Sequence, residues 1–202
     1  MKRKFDKVRS ACIPLAKDNI DTDQIIPARF LKAVSEDEGF FGENLFRDWR
    51  YTPDGKPIAS FPLNDPAMKG REILVAGHNF GSGSSREHAA WALAGAGIRV
   101  VIAKSMADIH RGNELNNFVL PVIVSEAFVD SLFSEIERDP STEVEVDVPA
   151  QTVKILSSGR TESFELNSYK KYCLLNALDD IDFLLGSMPL IEKYESGAAP
   201  SF

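Results

Sequence analysis

Residues 72–124 read EILVAGHNFGSGSSREHAAWALAGAGIRVVIAKSMADIHRGNELNNFVLPVIV. In this stretch, short apolar runs alternate with longer segments of helix-forming residues. The apolar runs predict buried strands, and the segments between them predict helices. The predicted strands are 72–77, 99–103 and 118–124, and the predicted helices are 86–97 and 105–117. Because strands that alternate with helices form parallel sheets with right-handed crossovers, the stretch predicts a parallel βαβαβ core and an α/β fold.

The segments on either side extend this prediction. Residues 7–15 predict a first strand, and 125–138 predict a third helix that begins after a serine N-cap. Residues 28–69 show no clear period and predict a long aromatic-rich insert with short helical turns. Beyond the core, alternating runs predict additional antiparallel strands at 142–148, 152–157 and 162–166. Residues 168–187 predict one or two amphipathic helices, and the tail from residue 192 predicts a frayed end.

The composition is that of an ordinary globular protein. The chain has 202 residues, 44% hydrophobic and 26% charged, which suits a single domain over 1–202. Thirty acidic residues outnumber 23 basic ones, and the net charge of −7 argues against nucleic acid as the main partner. No apolar run approaches the roughly 20 residues of a membrane helix, and the basic start MKRKFDKV lacks the apolar stretch of a secretory signal. We therefore expect a cytoplasmic protein that binds no membrane.

The two cysteines, Cys12 and Cys173, have no Cys-x-x-Cys or Cys/His spacing. They indicate two buried, reduced thiols of a cytosolic protein. Two cysteines cannot supply a four-cysteine iron–sulfur cluster or a cysteine-type zinc site. His78, His88 and His110 lack the spacing of a zinc site, and we expect them in the core or in hydrogen bonds. The sequence therefore predicts that this chain binds no metal or other cofactor.

The glycine-rich turn before the first core helix is the strongest candidate for chemistry. It reads GHNFGSGSSREHAAWAL over 77–93. Gly83 and the glycine two residues before it allow a tight bend and a close backbone approach to a ligand. The helix start and the guanidinium of Arg86 both favour an anion. The pattern indicates an anion site, but it also fits a plain turn in which Ser84 is the N-cap and Glu87 completes a capping box.

The residues of this turn exclude several kinds of anion site. A phosphate loop of the Walker type needs a lysine after its glycine, and none is present. A dinucleotide fingerprint needs a third glycine where Arg86 stands, and a serine-hydrolase elbow needs a glycine two residues after its nucleophile. A carboxylate cradle formed by Ser84, Ser85 and Arg86 remains. A serine alkoxide in it would need several N–H donors and the arginine to stabilise it.

Two further segments carry weaker signals. The loop NIDTDQIIP at 19–27 holds Thr22 and Asp23 shortly before Arg29, which would place another cation beside a polyacid substrate. The acidic residues of this loop also fit a purely structural role in Asx-type turns. The aromatic segment FFGENLFRDWRY at 40–51 predicts either a peripheral core or an apolar surface for a substrate or a partner.

Together, these segments resemble a known family. The turn at 77–93 is preceded by NIDTDQIIPARFL at 19–31 and followed by AKSMADIHRGNELNN at 103–117. With LFRDWR at 45–50 and YCLLNALDDI at 172–181, they are similar to the small subunits of 3-isopropylmalate dehydratase, swivel-domain members of the aconitase superfamily. The GSGSSREHA core of the turn is specific to the superfamily, and the resemblance runs over nearly the whole chain.

The resemblance implies a fold, an activity and partners. The fold is a swivelling three-layer β/β/α domain, and the activity interconverts 2-isopropylmalate and 3-isopropylmalate through 2-isopropylmaleate in leucine biosynthesis. The family's 4Fe-4S cluster lies in a separate large subunit, so the expected partners are that subunit and a small dicarboxylate substrate. Two alternatives stay open: a small subunit of a sister hydro-lyase of the citraconate or homoaconitate type, and a binding module that kept the fold.

The resemblance also assigns roles within the turn. Ser84 matches the catalytic serine, which as an alkoxide takes the proton from the carbon beside a carboxylate. Ser85 and Arg86 match positions that bind the substrate carboxylate and stabilise the alkoxide, and Gly83 is assigned to substrate binding with them. Glu87 is expected to cap the helix or to orient the arginine.

Further roles fall on the first loop and the insert. Thr22 and Asp23 match the Thr-Asp pair of the family's first active-site loop, and Asp23 is expected to orient other groups rather than to act as a base. Arg29 matches a substrate-binding arginine further along. The segment after Phe30 and the insert at 40–51 are expected to contact the isopropyl group.

Overall fold

The computed structural model describes residues 3–32 and 38–197. Its strands are β1 (Lys7–Leu15), β2 (Ile73–Ala76), β3 (Val100–Ala103), β4 (Leu120–Ile123), β5 (Glu143–Asp147), β6 (Thr152–Ile155) and β7 (Thr161–Ser163). Its helices are α1 (Thr22–Ile25), α2 (Glu38–Glu43), α3 (Arg47–Arg50), α4 (His88–Gly95), α5 (Asp108–Asn116), α6 (Glu126–Arg138), α7 (Ser168–Asn176), α8 (Asp180–Gly186) and α9 (Met188–Gly197). Short 3₁₀ turns lie at Ala28–Phe30, Pro62–Asn64 and Pro66–Met68.

The strands form one mixed sheet in the order β4-β3-β2-β1-β5-β6-β7. The four strands from β1 to β4 are parallel to one another, and β5 to β7 are antiparallel. Strand β1 joins the two parts, because Lys7–Ala11 pairs with β5 and Cys12–Leu15 pairs with β2. The predicted α/β class, with a parallel core and additional antiparallel strands, is confirmed.

Two apolar clusters cover the two faces of the parallel strands. On one face, alternate residues such as Ile73 and Val75 pack with valines of β5 and β6 and with Phe128 of α6. On the other, Leu74 and Ala76 pack against α4 and the insert. Each fully buried aliphatic side chain contributes roughly 1.5–3 kcal/mol to folding, so the near-continuous apolar strands of the parallel core are the main source of stability.

The insert forms a peripheral core. Phe41, Phe46 and Phe61 are buried, and Trp49 stacks on Phe46 with the ring centroids 5.7 Å apart. A side chain at Gly42 would overlap the backbone of α4, so α2 packs closely on that helix. Of the two interpretations of the aromatic segment, the structure supports the peripheral core. Residues 33–37, which belong to the predicted insert, lie outside the described part of the chain.

The C-terminal segment differs from the prediction. The tail expected to fray from residue 192 continues as α9 to Gly197, while 198–202 lie outside the described residues. Within the described ranges, eight of the nine exposed large apolar side chains lie between Tyr172 and Tyr194, and the ninth is Ile109. The exposed apolar surface therefore belongs to α7–α9 rather than to the insert. No helix in the described ranges is both long and apolar enough to span a membrane.

Candidate active site

Three loops meet at the carboxyl ends of β1, β2 and β3, where ligands of parallel sheets usually bind. Isolated parallel bridges join Asp21 to Ser82 and Phe80 to Met106. The Ile20 carbonyl accepts the Gly81 N–H at 2.7 Å, and the Ser82 carbonyl accepts the Thr22 N–H at 2.9 Å. The loops thus extend the parallel sheet by a few residues. This pairing brings the first loop and the glycine-rich turn together.

Two glycines of the turn are needed for its shape. Gly83 has a φ of +96°, and a side chain there would also come within 3.3 Å of the Asp21 side chain. Gly81 has a φ of +74°, and a Cβ atom at this position would lie 2.0 Å from the imidazole of His110. An L-residue side chain is disfavoured at both positions by backbone conformation and by space. The turn can therefore approach both the first loop and α5.

The hydroxyl groups of Ser84 and Thr22 form the central contact of the site, with the two oxygen atoms 2.7 Å apart. The Ser84 backbone N–H also points at Thr22 Oγ1, at 3.3 Å. Because Thr22 Oγ1 accepts this N–H, its own hydrogen is free to be donated to Ser84 Oγ. Thr22 is buried, with 1% of its surface exposed, whereas Ser84 is half-buried. Either hydroxyl can donate in this contact, which joins a buried threonine to a half-buried serine.

The predicted capping arrangement of the turn is wrong. Helix α4 begins at His88 rather than at 86, and its N-cap is Glu87, whose side chain makes no capping hydrogen bond. The Glu87 carboxylate instead accepts from Asn117 Nδ2 at 2.9 Å. Ser84 lies four residues before the first residue of α4, in a segment without regular secondary structure, and its hydroxyl contacts Thr22. The interpretation of the serine as a plain N-cap is therefore excluded.

The guanidinium of Arg86 forms an ion pair and hydrogen bond with Asp23, from Nη1 to Oδ1. The side chain of Arg86 is 27% exposed and that of Asp23 is 54% exposed, so the pair lies at the solvent boundary of the site. In the described ranges, Asp23 rather than Glu87 is the acidic residue that contacts this arginine. That Asp23 orients another group for the reaction stays a prediction.

The other acidic residues of the first loop shape its backbone. Asp21 is the N-cap of α1 and forms a capping box with Gln24. The sequence pattern did not reveal this short helix. Asp18 Oδ1 accepts the backbone N–H of His78 at 2.7 Å. These contacts fix the loop that presents Thr22 and Asp23. The structural interpretation therefore holds for Asp18 and Asp21.

Arg29, at the start of the predicted insert, points toward α3. It forms an ion pair with Asp48 of α3 that uses both amino groups of the guanidinium. This contact lowers the pKa of Asp48 below its ordinary range and raises that of Arg29. A cleft of about 560 Å³ beside the pair is lined by Phe30, Arg47 and Tyr51. The structure brings Thr22, Asp23, Ser84 and Arg86 together. Arg29 instead pairs with Asp48 of α3.

The three histidines lie in packing or hydrogen-bonding positions. His78 Nε2 lies 3.3 Å from a carboxylate oxygen of Glu126, and the ring of His88 packs on Trp91 with centroids 4.4 Å apart. His110 is buried beside Glu114, with Nε2 and Oε1 3.0 Å apart but without an aligned hydrogen bond in the described part of the chain. Burial raises the pKa of Glu114.

Two neighbours of the turn on α5 could not be recognised from the sequence. His110 is expected there only in the core or in hydrogen bonds, and Asn113 carries no distinctive signal. Asn113 Nδ2 donates to the backbone carbonyl of Ser85 at 3.2 Å. The side chain of Ser85 is exposed. A helical spacing of three residues between His110 and Asn113 was the only available signal, and it also fits an ordinary packed helix face.

The side chains that could bind a metal are dispersed in the part of the chain that the structure describes. In the ranges that the structure describes, no group of three or more His, Cys, Asp or Glu side chains could hold a metal ion. Cys12 and Cys173 are both buried and unpaired. Burial raises the pKa of the Cys12 thiol to about 12, which opposes formation of the thiolate that a metal requires.

Comparison with known families defines the class of protein. A family model described as the aconitase C-terminal domain matches residues 2–127, which include the first loop, the turn and α5. A second model, described as LeuD_N, matches residues 130–168. The chain thus belongs to the aconitase C-terminal domain class.

Individual relatives define the family within this class. The 3-isopropylmalate dehydratase small subunits of Azobacteroides pseudotrichonymphae and Christiangramia forsetii are each 53% identical to this chain over 192 residues. These alignments cover 95% of the chain and 96% and 92% of the relatives. A crystal structure of 3-isopropylmalate dehydratase from Methanocaldococcus jannaschii matches with a TM-score of 0.66 and 26% identity, over 93% of this chain and 99% of that one. The chain belongs to the family of 3-isopropylmalate dehydratase small subunits.

Proposed function

We propose that this chain is the small subunit of a 3-isopropylmalate dehydratase. With a large subunit, it would interconvert 2-isopropylmalate and 3-isopropylmalate through 2-isopropylmaleate. The observation that carries the proposal is the contact between the Ser84 and Thr22 hydroxyl groups, beside the Arg86–Asp23 pair. A hydroxyl that can become a base and a cation that can bind a carboxylate are the two groups that this chain must supply.

Ser84 acts as the base in this proposal. In the dehydration direction, its alkoxide takes the proton from the carbon beside a substrate carboxylate and becomes a neutral hydroxyl. The electrons of the broken C–H bond form the double bond, and the hydroxyl group of the neighbouring carbon leaves as hydroxide. A cluster held by the large subunit would supply the Lewis acid that accepts this hydroxide. Hydration reverses the proton transfer. Thr22 Oγ1, 2.7 Å away and buried, donates a hydrogen bond to the alkoxide. A fixed donor of this kind stabilises developing charge without the reorganisation that water would need.

Arg86 binds the carboxylate next to the reacting carbon. Charge builds on this carboxylate as the proton leaves, so a cation there stabilises the transition state more than the bound substrate. The contact with Asp23 involves Nη1 and holds the planar guanidinium in one orientation. Gly83 and Ser85 complete the proposed binding turn. Gly83 lets the backbone bend, and Ser85 is an exposed residue next to Arg86 in the chain.

The remaining parts of the proposal concern the partner and the location. The relatives are named small subunits, which supports a large subunit as the partner of this chain. The proposed 4Fe-4S cluster is assigned to that subunit, since the described residues here do not fit one. The proposed substrate is a small dicarboxylate, and the proposed location is the cytoplasm. Specificity for the isopropyl group is assigned to the insert and to the segment after Phe30.

The decisive experiment measures dehydration of 3-isopropylmalate by absorbance of the alkene product. The full chain is mixed anaerobically with its cognate, cluster-loaded large subunit, and each subunit alone is the control. Citramalate-type and homocitrate-type substrates are tested in parallel. Turnover in the mixture alone, fastest with isopropylmalate, is the expected result. Faster turnover of another diacid would indicate a sister hydro-lyase. A formed complex that acts on none of these substrates would overturn the proposal in favour of a binding module.

A further inference from the structure

One face of helix α5 follows the segment that carries the proposed catalytic groups. We call residues 81–87 the catalytic segment. Two α5 residues and the C-cap contact it in sequence order: the ring of His110 lies against Gly81, Asn113 donates to the Ser85 carbonyl, and the C-cap Asn117 donates to the Glu87 carboxylate. Spacings of three and four residues place these side chains on one helix face, which ends at the C-cap.

The catalytic segment needs such support in its second half. Its first half is held by backbone hydrogen bonds, from Gly81 and Ser82 to the carbonyl of Ile20. Residues 84–86 have no regular secondary structure, so neither a helix nor a strand fixes their peptide groups. Asn113 holds the carbonyl of the peptide between Ser85 and Arg86. A rotation of that peptide would redirect the groups on both sides of it.

His110 supports the start of the segment from below. Its ring occupies the space that a side chain at Gly81 would need, and it packs edge-to-face on Phe80 with centroids 5.4 Å apart. Both His110 and Glu114 are almost completely buried. Removing two ionisable groups from water costs free energy. The His110 ring nevertheless occupies this buried position, where it fills the space beside Gly81.

We infer that His110, Asn113 and Asn117 are positioning residues that hold the catalytic segment against the first loop. This inference rests on the proposed function in one respect, that the positioned groups, Ser84 and Arg86, are the ones that act on the substrate. The face acts through Ser84 and Arg86 and does not need to contact the substrate. Loss of the Asn113 contact should therefore lower kcat rather than unfold the chain, because a misplacement of about 1 Å can cost roughly 100-fold in rate.

The test compares Asn113→Ala with Asn116→Ala. Both remove an asparagine from the end of α5, but Asn116 faces elsewhere and accepts from Lys170 at 2.8 Å. In the assembled enzyme, we expect Asn113→Ala to lower kcat about 10- to 100-fold and Asn116→Ala to leave it unchanged. Asn113→Asp keeps the side-chain shape but removes the donor, so it should be at least as slow as Asn113→Ala. Equal kcat values for Asn113→Ala and Asn116→Ala would overturn the inference.

A second readout separates this inference from the proposed function. Amide hydrogen exchange of residues 83–87 is measured on the full chain alone, with wild type, Asn113→Ala and Asn116→Ala. We expect exchange about fivefold faster in Asn113→Ala only. His110→Phe, which keeps a ring against Gly81, should exchange like wild type, whereas His110→Ala should not. If wild type turns over no diacid, the proposed function fails while this readout still decides the role of α5. Equal exchange in all variants would overturn it.

Discussion

The oxygen atoms of the Thr22 and Ser84 hydroxyl groups lie 2.7 Å apart, although 62 residues separate them in the chain. Backbone pairing between the first loop and the turn sets this distance, through Thr22 N–H to the Ser82 carbonyl and the bridge between Asp21 and Ser82. The contact places a buried hydroxyl group, that of Thr22, where it can donate a hydrogen bond to Ser84 Oγ. Several consequences of this arrangement can be measured.

Replacement of Ser84 by alanine should remove the proposed base. We expect Ser84→Ala to lower kcat by about 1,000-fold or more, because a positioned base contributes on the order of 10²–10⁴ in rate. Its melting temperature and its assembly with the large subunit should match wild type. Ser134→Ala on α6, where the hydroxyl contacts only a helix carbonyl, is the matched control. Near-normal turnover by Ser84→Ala would remove Ser84 as the base.

Thr22 should act through its hydroxyl group alone. Thr22→Val keeps a branched side chain of similar size but cannot donate to Ser84, so we expect kcat to fall about tenfold or more with little change in KM. Thr22→Ser restores the donor and should recover most of the rate. The two variants are compared by steady-state kinetics with isopropylmalate. Equal rates for both would show that the hydroxyl pair has no role in proton transfer.

Variants of Arg86 and Asp23 should distinguish binding of the substrate carboxylate from orientation of the guanidinium. Arg86→Lys keeps the charge but loses the planar guanidinium, so we expect KM to rise about tenfold and kcat to fall. Asp23→Asn keeps a hydrogen-bond acceptor and should have a smaller effect in the same direction. Arg9→Lys, at an exposed Arg–Glu pair of the sheet, serves as the control. Unchanged kinetics in Arg86→Lys would place the substrate carboxylate elsewhere.

The role of Arg29 can be separated from that of its partner. If Arg29 binds substrate, as the resemblance implies, Arg29→Ala should raise KM about tenfold while Asp48→Ala changes it much less. If the pair only holds the insert, the two variants should have equal kinetic effects. Both side chains are more than half exposed, so each substitution should change the free energy of unfolding by about 1 kcal/mol or less. KM and urea unfolding are measured on both variants.

The buried Glu114 should make stability depend on pH. Burial raises the pKa of Glu114 in the folded state. The contribution of this carboxyl to the free energy of unfolding is therefore fully present below its unfolded-state pKa and is lost as the pH rises through its folded-state pKa. Glu114→Gln removes this loss, although it also removes the attraction to His110. We therefore expect Glu114→Gln to melt a few degrees above wild type at pH 8, with a smaller difference near pH 4. Thermal unfolding at both pH values checks this, and a difference that grows toward low pH would contradict it.

Much of the fold could be predicted because its signals are local. The apolar runs of β1 to β4, the Ser125 N-cap of α6 and the alternation in β5 to β7 depend on nearest neighbours and on the period of the chain. Helix α1 was missed because four residues are too few to show a period. Helix α9 was missed because nothing buries its apolar side chains in the described ranges.

The sequence by itself determined which residues could carry the chemistry: the serines and the arginine of the turn, the threonine and aspartate of the first loop, and the glycines between them. Tertiary structure decided what each of them contacts. Spacing alone left Ser84 either a helix cap or part of an anion site, and it left Glu87 either a helix cap or a partner of Arg86. The parallel pairing of the two loops instead places Ser84 in contact with Thr22 and Arg86 in contact with Asp23. Hydrogen bonds and ion pairs depend on distances of a few ångströms, and only the folded sheet brings residues more than 60 positions apart within that reach.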